Sequence, residues 1–343
     1  MPTVESQKII WAVDPFAENI SLQESAARAI KSLTQGIPTE VEPVYLSNFY
    51  PIEIAFAAGT MVGMPPDMTE NTDREIQALG QKTIDELVKR FSIPGIKPLK
   101  VLSEPYRSLG LATEKLIAHA KKTNAGLIVL NTRARKGLER WIMGSFAETL
   151  TLNSNVPLFI VNPLWKSSGN FKHIFFPTDF SPESRLAFKK VLILAKSLGS
   201  RVTIFHKIRQ KETPAIGMAY SVAALYRQVI KEEVKARKEE GQKWVNEATK
   251  MGVKARFTID THFGSTIEEA ILAKAKMKPG MIAMAARSGR ISAIIAGSVA
   301  RKILRSSPYP VWIFHSENKK RQQPIFTVAE PDVTGDLHIP RGT

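Results

Sequence analysis

The sequence contains no cysteine and no apolar run long enough to cross a membrane. The lack of cysteine excludes disulfide scaffolds, thiolate zinc sites and cysteine nucleophiles. A membrane-spanning helix needs roughly 18 or more consecutive apolar residues, so we expect no membrane span. The amino-terminal segment MPTVESQKIIWAVD has one lysine and a short apolar run followed by an acid, unlike a secretory signal. Together these absences predict a soluble, cytoplasmic protein.

Common catalytic motifs are also missing. The sequence has no GxxxxGK(S/T), GxGxxG, HExxH or GxSxG pattern, which excludes the usual kinase, dehydrogenase, zinc-protease and hydrolase signatures. No two of the six histidines are four residues apart. Isolated histidines such as His206 and His315 are typical of structural positions, so we expect no metal site. We identify no catalytic residue and do not expect an enzyme, although weak ATP hydrolysis remains an open alternative.

Positive charge is concentrated in the second part of the sequence. Residues 1–165 hold 17 basic and 17 acidic residues, whereas residues 166–343 hold 31 basic and 15 acidic residues, so the second part carries the whole net charge of +16. The cations are scattered among acids, which disfavours a nucleic-acid surface. Glu233 stands four residues before Arg237 in a segment of helical spacing, which indicates a solvated, salt-bridged helix face.

The chain contains an internal repeat. GSFAETLTLNSNVPLFIV, starting at Gly144, aligns without a gap on GSVARKILRSSPYPVWIF, starting at Gly297. Two apolar runs, IIWAVD and IFFPTD, likewise end at Asp14 and Asp179. The identical pairs of the alignment are Gly144/Gly297, Ser145/Ser298, Ala147/Ala300, Ser154/Ser307, Pro157/Pro310 and Ile160/Ile313. At about 150 residues per domain, we predict two copies of one domain, at 1–163 and 171–316, and a tail at 317–343.

Strand-like and helix-like segments alternate in each copy. The predicted strands are Ile9–Val13, Val41–Leu46, Leu99–Leu102, Gly126–Leu130, Leu158–Val161, Ile174–Pro177, Arg201–His206, Lys254–Ile259, Gly280–Ala285 and Val311–Phe314. The predicted helices are Leu22–Leu33, Thr72–Arg90, Leu109–Thr123, Ser145–Leu152, Pro182–Leu198, Ala223–Lys250, Thr266–Ala275 and Ser298–Leu304. The pattern predicts an α/β fold with two Rossmann-like domains, each with a five-stranded parallel sheet flanked by helices.

Two kinds of residue are candidates for ligand binding. Asp14 and Asp179 end their first strands, where ligands of such sheets bind, and a carboxylate there can accept hydrogen bonds from a ribose or an adenine amine. The structural alternative is helix capping or turn formation, since Ser181 and Pro182 already resemble a helix start. The Gly144–Ser145 and Gly297–Ser298 pairs open predicted helices, where backbone N–H groups and a hydroxyl can face a phosphate. The alternative is a helix start that binds nothing.

The repeat and the segment PTDFSPESRLAFKKVLILAKSLGSRVTIFH resemble the universal stress protein family over nearly the whole chain. The resemblance implies adenine nucleotide alpha hydrolase-like domains that bind ATP or AMP, with Mg²⁺ accompanying ATP. Nucleotide-binding members carry Gly-x2-Gly-x9-Gly-Ser/Thr after the fourth strand. The first repeat keeps this spacing but has Asn131 and Ala134 at the two earlier glycines, and the second repeat has lost both glycines and one residue of length.

We therefore expect nucleotide binding in at least one repeat, with the first as the better site. Arg133 stands in the same loop and could neutralise a polyphosphate. The implied nucleotide-binding residues are Asp14, Asn131, Arg133, Ala134, Gly144, Ser145, Asp179, Gly297 and Ser298. The open alternative is a tandem stress-response protein that has lost nucleotide binding and serves as a protein-interaction module.

The last strands of the two repeats suggest how the domains associate. Members of the family commonly dimerise through their last strands. The corresponding segments here, PLFIVNP and PVWIFHS, would pair antiparallel to make an intramolecular pseudo-dimer, which also covers two sheet edges. A homodimer of the whole chain is a further expectation.

Overall fold

The computed structural model describes residues 7–17, 21–35, 38–47, 66–103, 108–132, 145–163, 165, 171–208, 220–262, 264–275, 280–286 and 293–315. In the first half, the strands are β1 (Gln7–Ala12), β2 (Thr39–Ser47), β3 (Lys100–Ser103), β4 (Leu127–Asn131) and β5 (Leu158–Val161), and the helices are α1 (Ser21–Thr34), α2 (Pro66–Phe91), α3 (Leu109–Lys122) and α4 (Ser145–Asn153). In the second half, the strands are β6 (His173–Pro177), β7 (Arg201–Lys207), β8 (Ala255–Asp260), β9 (Met281–Ala286) and β10 (Val311–His315), and the helices are α5 (Pro182–Leu198), α6 (Tyr220–Lys250), α7 (Ile267–Ala275) and α8 (Ala293–Ser306).

The strands form one ten-stranded sheet in the order β3-β2-β1-β4-β5-β10-β9-β6-β7-β8. Within each half all neighbours are parallel, and each half places its first strand between its second and fourth. The predicted α/β class with two Rossmann-like, five-stranded parallel units is therefore confirmed. The two units join edge to edge into a single sheet.

Strands β5 and β10 make that joint, and they pair antiparallel with Val311 opposite Ile160. Side chains strengthen the joint on both sides of the ladder. The rings of Phe159 and Trp312 lie 5.3 Å apart. On α4, Glu148 accepts hydrogen bonds from two arginines of α8, at 3.3 Å from Arg301 and 2.9 Å from Arg305.

The core consists of one apolar layer on each face of the sheet. Helices α1, α2, α5 and α6 cover one face, and α3, α4, α7 and α8 cover the other. Each layer contains residues of both halves, as with Trp11 and Trp312 in the first layer. In the described part of the chain, no helix is long and apolar enough to cross a membrane.

One helix boundary differs from its prediction in a way that affects the candidate site. The sequence places the start of the last helix at Ser298, but α8 begins at Ala293. The segment Ala-Ile-Ile-Ala at 293–296 favours helix, and one glycine inside a helix costs only about 1 kcal/mol. The helix therefore runs through Gly297 instead of starting after it. The domain limits 1–163 and 171–316 remain predictions, and the tail 317–343 lies outside the described residues.

Candidate functional site

A cavity of about 380 Å³ opens at the carboxyl ends of β6, β7 and β9. This volume falls within the usual range for small-molecule pockets, roughly 300–1,000 Å³. Helices α6, α7 and α8 contribute its outer wall. The described residues that line it are Pro177, Thr178, Asp179, Ser181, Glu183, Ser184, Phe205, His206, Lys207, Glu233, Arg237, Ile267, Ile271, Met284, Ala285, Val299 and Ala300.

Asp179 is held at the mouth of this cavity by the start of α5. Its Oδ1 accepts hydrogen bonds from the Ser181 amide at 3.0 Å and from the Ser184 hydroxyl at 2.7 Å. Ser181 caps α5, because its Oγ accepts a bond from the Ser184 amide at 3.2 Å. Burial alone would raise the pKa of Asp179, but the hydrogen bonds from Ser181 and Ser184 outweigh it and lower the pKa. Asp179 thus supports the helix start and stays ionised, and its exposed side chain remains available to a ligand.

His206 provides a neutral acceptor on the wall of the cavity. Its Nδ1 lies 2.7 Å from the Thr178 carbonyl oxygen. Because a carbonyl oxygen only accepts, Nδ1 carries the proton and Nε2 is left as an acceptor. Burial lowers the pKa of His206, the Thr178 carbonyl opposes this shift, and the nearby Arg237 lowers the pKa further. The ring is therefore neutral at pH 7.

Glu233 and Arg237 come from α6, and the structure places both on the cavity wall. The Arg237 guanidinium lies 5.7 Å from the centroid of the Phe180 ring. Phe180 itself has a φ of +60°, which is rare for a bulky side chain. The sequence-based interpretation of this pair as a solvated, salt-bridged face is wrong, because α6 packs across the sheet and turns these residues toward the cavity.

In the first half, three predicted residues lie at the corresponding end of the sheet. Asp14 follows β1 and is exposed, and its Oδ1 accepts a hydrogen bond from the Phe16 amide at 3.1 Å. Asn131 ends the neighbouring strand β4, and its Nδ2 donates to Ser25 Oγ at 2.7 Å. Ser145 is the first residue of α4, as predicted.

Two buried polar atoms stand beside these residues. Asn131 Oδ1 and Thr132 Oγ1 have no hydrogen-bond partner within the described ranges. Arg133, Ala134 and Gly144 belong to the range 133–144, which lies outside the described residues. The structure thus brings Asp14 and Asn131 to adjacent strand ends and does not describe the loop between them and Ser145.

In the second half, Gly297 and Ser298 do not open a helix. Only the first four N–H groups of a helix lack partners within it. Since α8 begins at Ala293, the Ser298 amide lies beyond those positions and belongs to the helix's own hydrogen-bond ladder. The prediction that this pair starts a helix is wrong for the second half. Gly297 and Ser298 therefore do not present the free amides that make a helix N-terminus an anion site.

Titratable side chains elsewhere do not form a metal centre. Among the residues that the structure describes, no three histidines, aspartates or glutamates come close enough together to hold a metal ion. His315 is buried at the β5–β10 joint, where its Nε2 lies 3.0 Å from the Thr151 carbonyl oxygen. This contact gives His315 a structural role.

The fold and the placement of the two aspartates define a tandem α/β protein with one crevice per half. A model of the universal stress protein family matches residues 106–162 and 170–315. The chain belongs to the universal stress protein family.

Individual relatives show the same likeness. A universal stress protein from Methanocaldococcus jannaschii is 27% identical over 156 residues, which cover 45% of this chain and 81% of that protein. A solved universal stress protein from Archaeoglobus fulgidus has a TM-score of 0.58 at 19% identity and covers 90% of this chain and 98% of its own. A functionally unknown protein from Pseudomonas aeruginosa has a TM-score of 0.53 at 12% identity, with coverage of 91% and 93%. The two solved structures support the fold.

Proposed function

We propose that this stress protein binds an adenine nucleotide, ATP or AMP, in at least one of its halves. The observation that carries the proposal is the position of Asp14 and Asp179. Each follows the first strand of its half, and that strand stands between the second and fourth strands. The strand order reverses there, which is where open α/β sheets bind their ligands.

The first half offers groups for both ends of a nucleotide. Asp14 would accept hydrogen bonds from the ribose or the adenine amine. The free amides at the start of α4, beside Ser145, would face the phosphates. Asn131, Arg133, Ala134 and Gly144 would complete the phosphate loop, and Mg²⁺ would arrive with the phosphates of ATP.

The antiparallel joint supports a second part of the proposal, namely that the halves form an internal pseudo-dimer. Pairing of β5 with β10 covers the edge of each five-stranded unit. Association of whole chains into a homodimer is a separate expectation, which light scattering of the purified protein would test.

Calorimetric titration with ATP and AMP tests nucleotide binding, with Asp14→Asn and Asp179→Asn as the variants. In Asp179, Oδ1 is already occupied by Ser181 and Ser184, so the new amide nitrogen would replace the acceptor that faces the cavity. Loss of a hydrogen bond to a charged group costs about 1.5–3 kcal/mol, which is about a ten- to hundredfold loss of affinity. The matched control is Asp85→Asn, an exposed residue of α2.

We expect affinity to fall in at least one of the two site variants and to stay unchanged in Asp85→Asn. If the wild-type chain shows neither heat nor a melting shift with ATP or AMP, the nucleotide proposal is wrong. That result would favour the protein-interaction module.

A further inference from the structure

The cavity of the second half carries an excess of negative charge. Its described lining includes three carboxylates, those of Asp179, Glu183 and Glu233. Two cations oppose them. Lys207 is already neutralised, because its Nζ lies 3.8 Å from Asp260 Oδ1 and also donates to the His262 carbonyl. Arg237 alone therefore balances three acids among the described lining residues, and a phosphate would meet net repulsion there.

The polar atoms of the cavity are mainly hydrogen-bond acceptors. Asp179 is ionised, so both of its oxygens accept, and only Oδ1 serves the start of α5. His206 presents an unprotonated Nε2, because Nδ1 donates to Thr178. Hydroxyl and amino groups of a ligand would satisfy these acceptors, whereas phosphate oxygens are acceptors themselves. The cavity thus suits a ligand rich in donors.

The phosphate-binding device is also altered in this half. The two loop glycines are absent from the sequence, and Gly297–Ser298 lies inside α8 instead of at its start. Amide groups that would cradle a phosphate are consequently engaged within the helix. The first half differs in this respect, because α4 begins at Ser145.

The inner wall of the cavity is apolar and can hold a flat ring. Ile267 and Ile271 of α7, Met284 of β9 and Val299 of α8 form this part of the lining. A purine would bury its faces against these side chains, and its sugar hydroxyls would reach the acceptors.

We propose that the second half binds a purine nucleoside without phosphates, in contrast to the nucleotide of the first half. This inference rests on the proposed function, because it takes Asp179 as the residue that recognises the adenosine portion. The chain would then combine a nucleotide site and a nucleoside site on one sheet.

Calorimetry with adenosine, AMP and ATP tests the inference on the full-length chain carrying Asp14→Asn, which weakens the first site. We expect adenosine to bind about tenfold more tightly than AMP or ATP, because each added negative charge is repelled by the carboxylates. Adding Asp179→Asn should lower the affinity for adenosine by about tenfold or more.

A second variant separates charge from shape. In the Asp14→Asn background, Glu233→Gln removes one carboxylate, so the preference for adenosine over AMP should shrink several-fold. Glu232→Gln is the matched control, since Glu232 is an exposed neighbour on α6 that does not line the cavity. Its preference should equal that of the parent. Equal effects of the two substitutions would contradict the electrostatic argument.

The outcomes distinguish this inference from the proposed function. If AMP or ATP binds the Asp14→Asn chain as tightly as adenosine does, the inference is overturned while adenine nucleotide binding stands. If ATP binds the wild-type chain but adenosine does not bind the Asp14→Asn chain, the inference is again overturned. If ATP, AMP and adenosine all fail to bind the wild-type chain, the proposed function is overturned as well.

Discussion

Acidification should weaken the joint between the two halves through His315. The side chain is 3% exposed, and its Nε2 lies 3.0 Å from the Thr151 carbonyl oxygen across the joint. Burial lowers the pKa of His315 from 6.5 to about 4, although the Thr151 carbonyl opposes the shift. The folded protein keeps this ring neutral, whereas the unfolded chain takes up a proton below pH 6.5. Stability is therefore lost as the pH falls from 6.5 toward 4.

The size of the effect follows from the two pKa values. Between about pH 7.5 and about pH 5, a shift from 6.5 to about 4 lowers the free energy of unfolding by about 2 kcal/mol. His173 should contribute a similar loss, because burial lowers its pKa to about 4 as well. The variant His315→Gln takes up no proton and retains an amide donor for the Thr151 carbonyl. Its acid-induced loss should be smaller than that of the wild type by about 2 kcal/mol.

Urea unfolding followed by tryptophan fluorescence measures this difference at both pH values. His262→Gln is the control, since His262 is exposed and its loss of stability should match that of the wild type. If His315→Gln and the wild type lose the same free energy on acidification, the assignment of the buried, neutral ring is refuted.

Two further substitutions test the fold. Glu148→Gln removes both ion pairs with α8; because the partners are partly exposed, unfolding should become easier by only about 1 kcal/mol, and no change at low salt would contradict this account. Gly95→Ala should cost about 2–4 kcal/mol, because Gly95 has a φ of +65° and a Cβ would stand 2.0 Å from the Thr39 carbonyl oxygen. Gly252→Ala, with a φ of +77° and open space around its Cβ position, should cost about 1 kcal/mol, and equal losses in urea unfolding would argue against the contact at Gly95.

The sequence predicted best the elements whose signals are local. Helix α5 begins at Pro182 after the Ser181 cap and ends at Gly199, which has a left-handed φ of +60°. Both ends match the prediction, because cap, proline and glycine act within one turn. The continuous apolar run Leu158–Val161 likewise matches β5.

Features that depend on packing between elements were not predicted. The Gly-Ser repeat suggested equivalent helix starts, but favourable residues before Gly297 extend α8 by more than a turn. Glu233 and Arg237 show only their helical spacing in the sequence, and the crossing of α6 over the sheet decides which way they face. The pairing of β5 with β10 is observed directly, whereas its role as a substitute for a dimer contact remains a prediction.

A crystal structure of the chain grown with ATP tests the central claim, that ligands bind where the strand order reverses. The account predicts the adenosine portion in contact with Asp14 and the phosphates beside Ser145, at the amino end of α4. ATP bound at the opposite edge of the sheet, or contacting neither Asp14 nor Asp179, would contradict it.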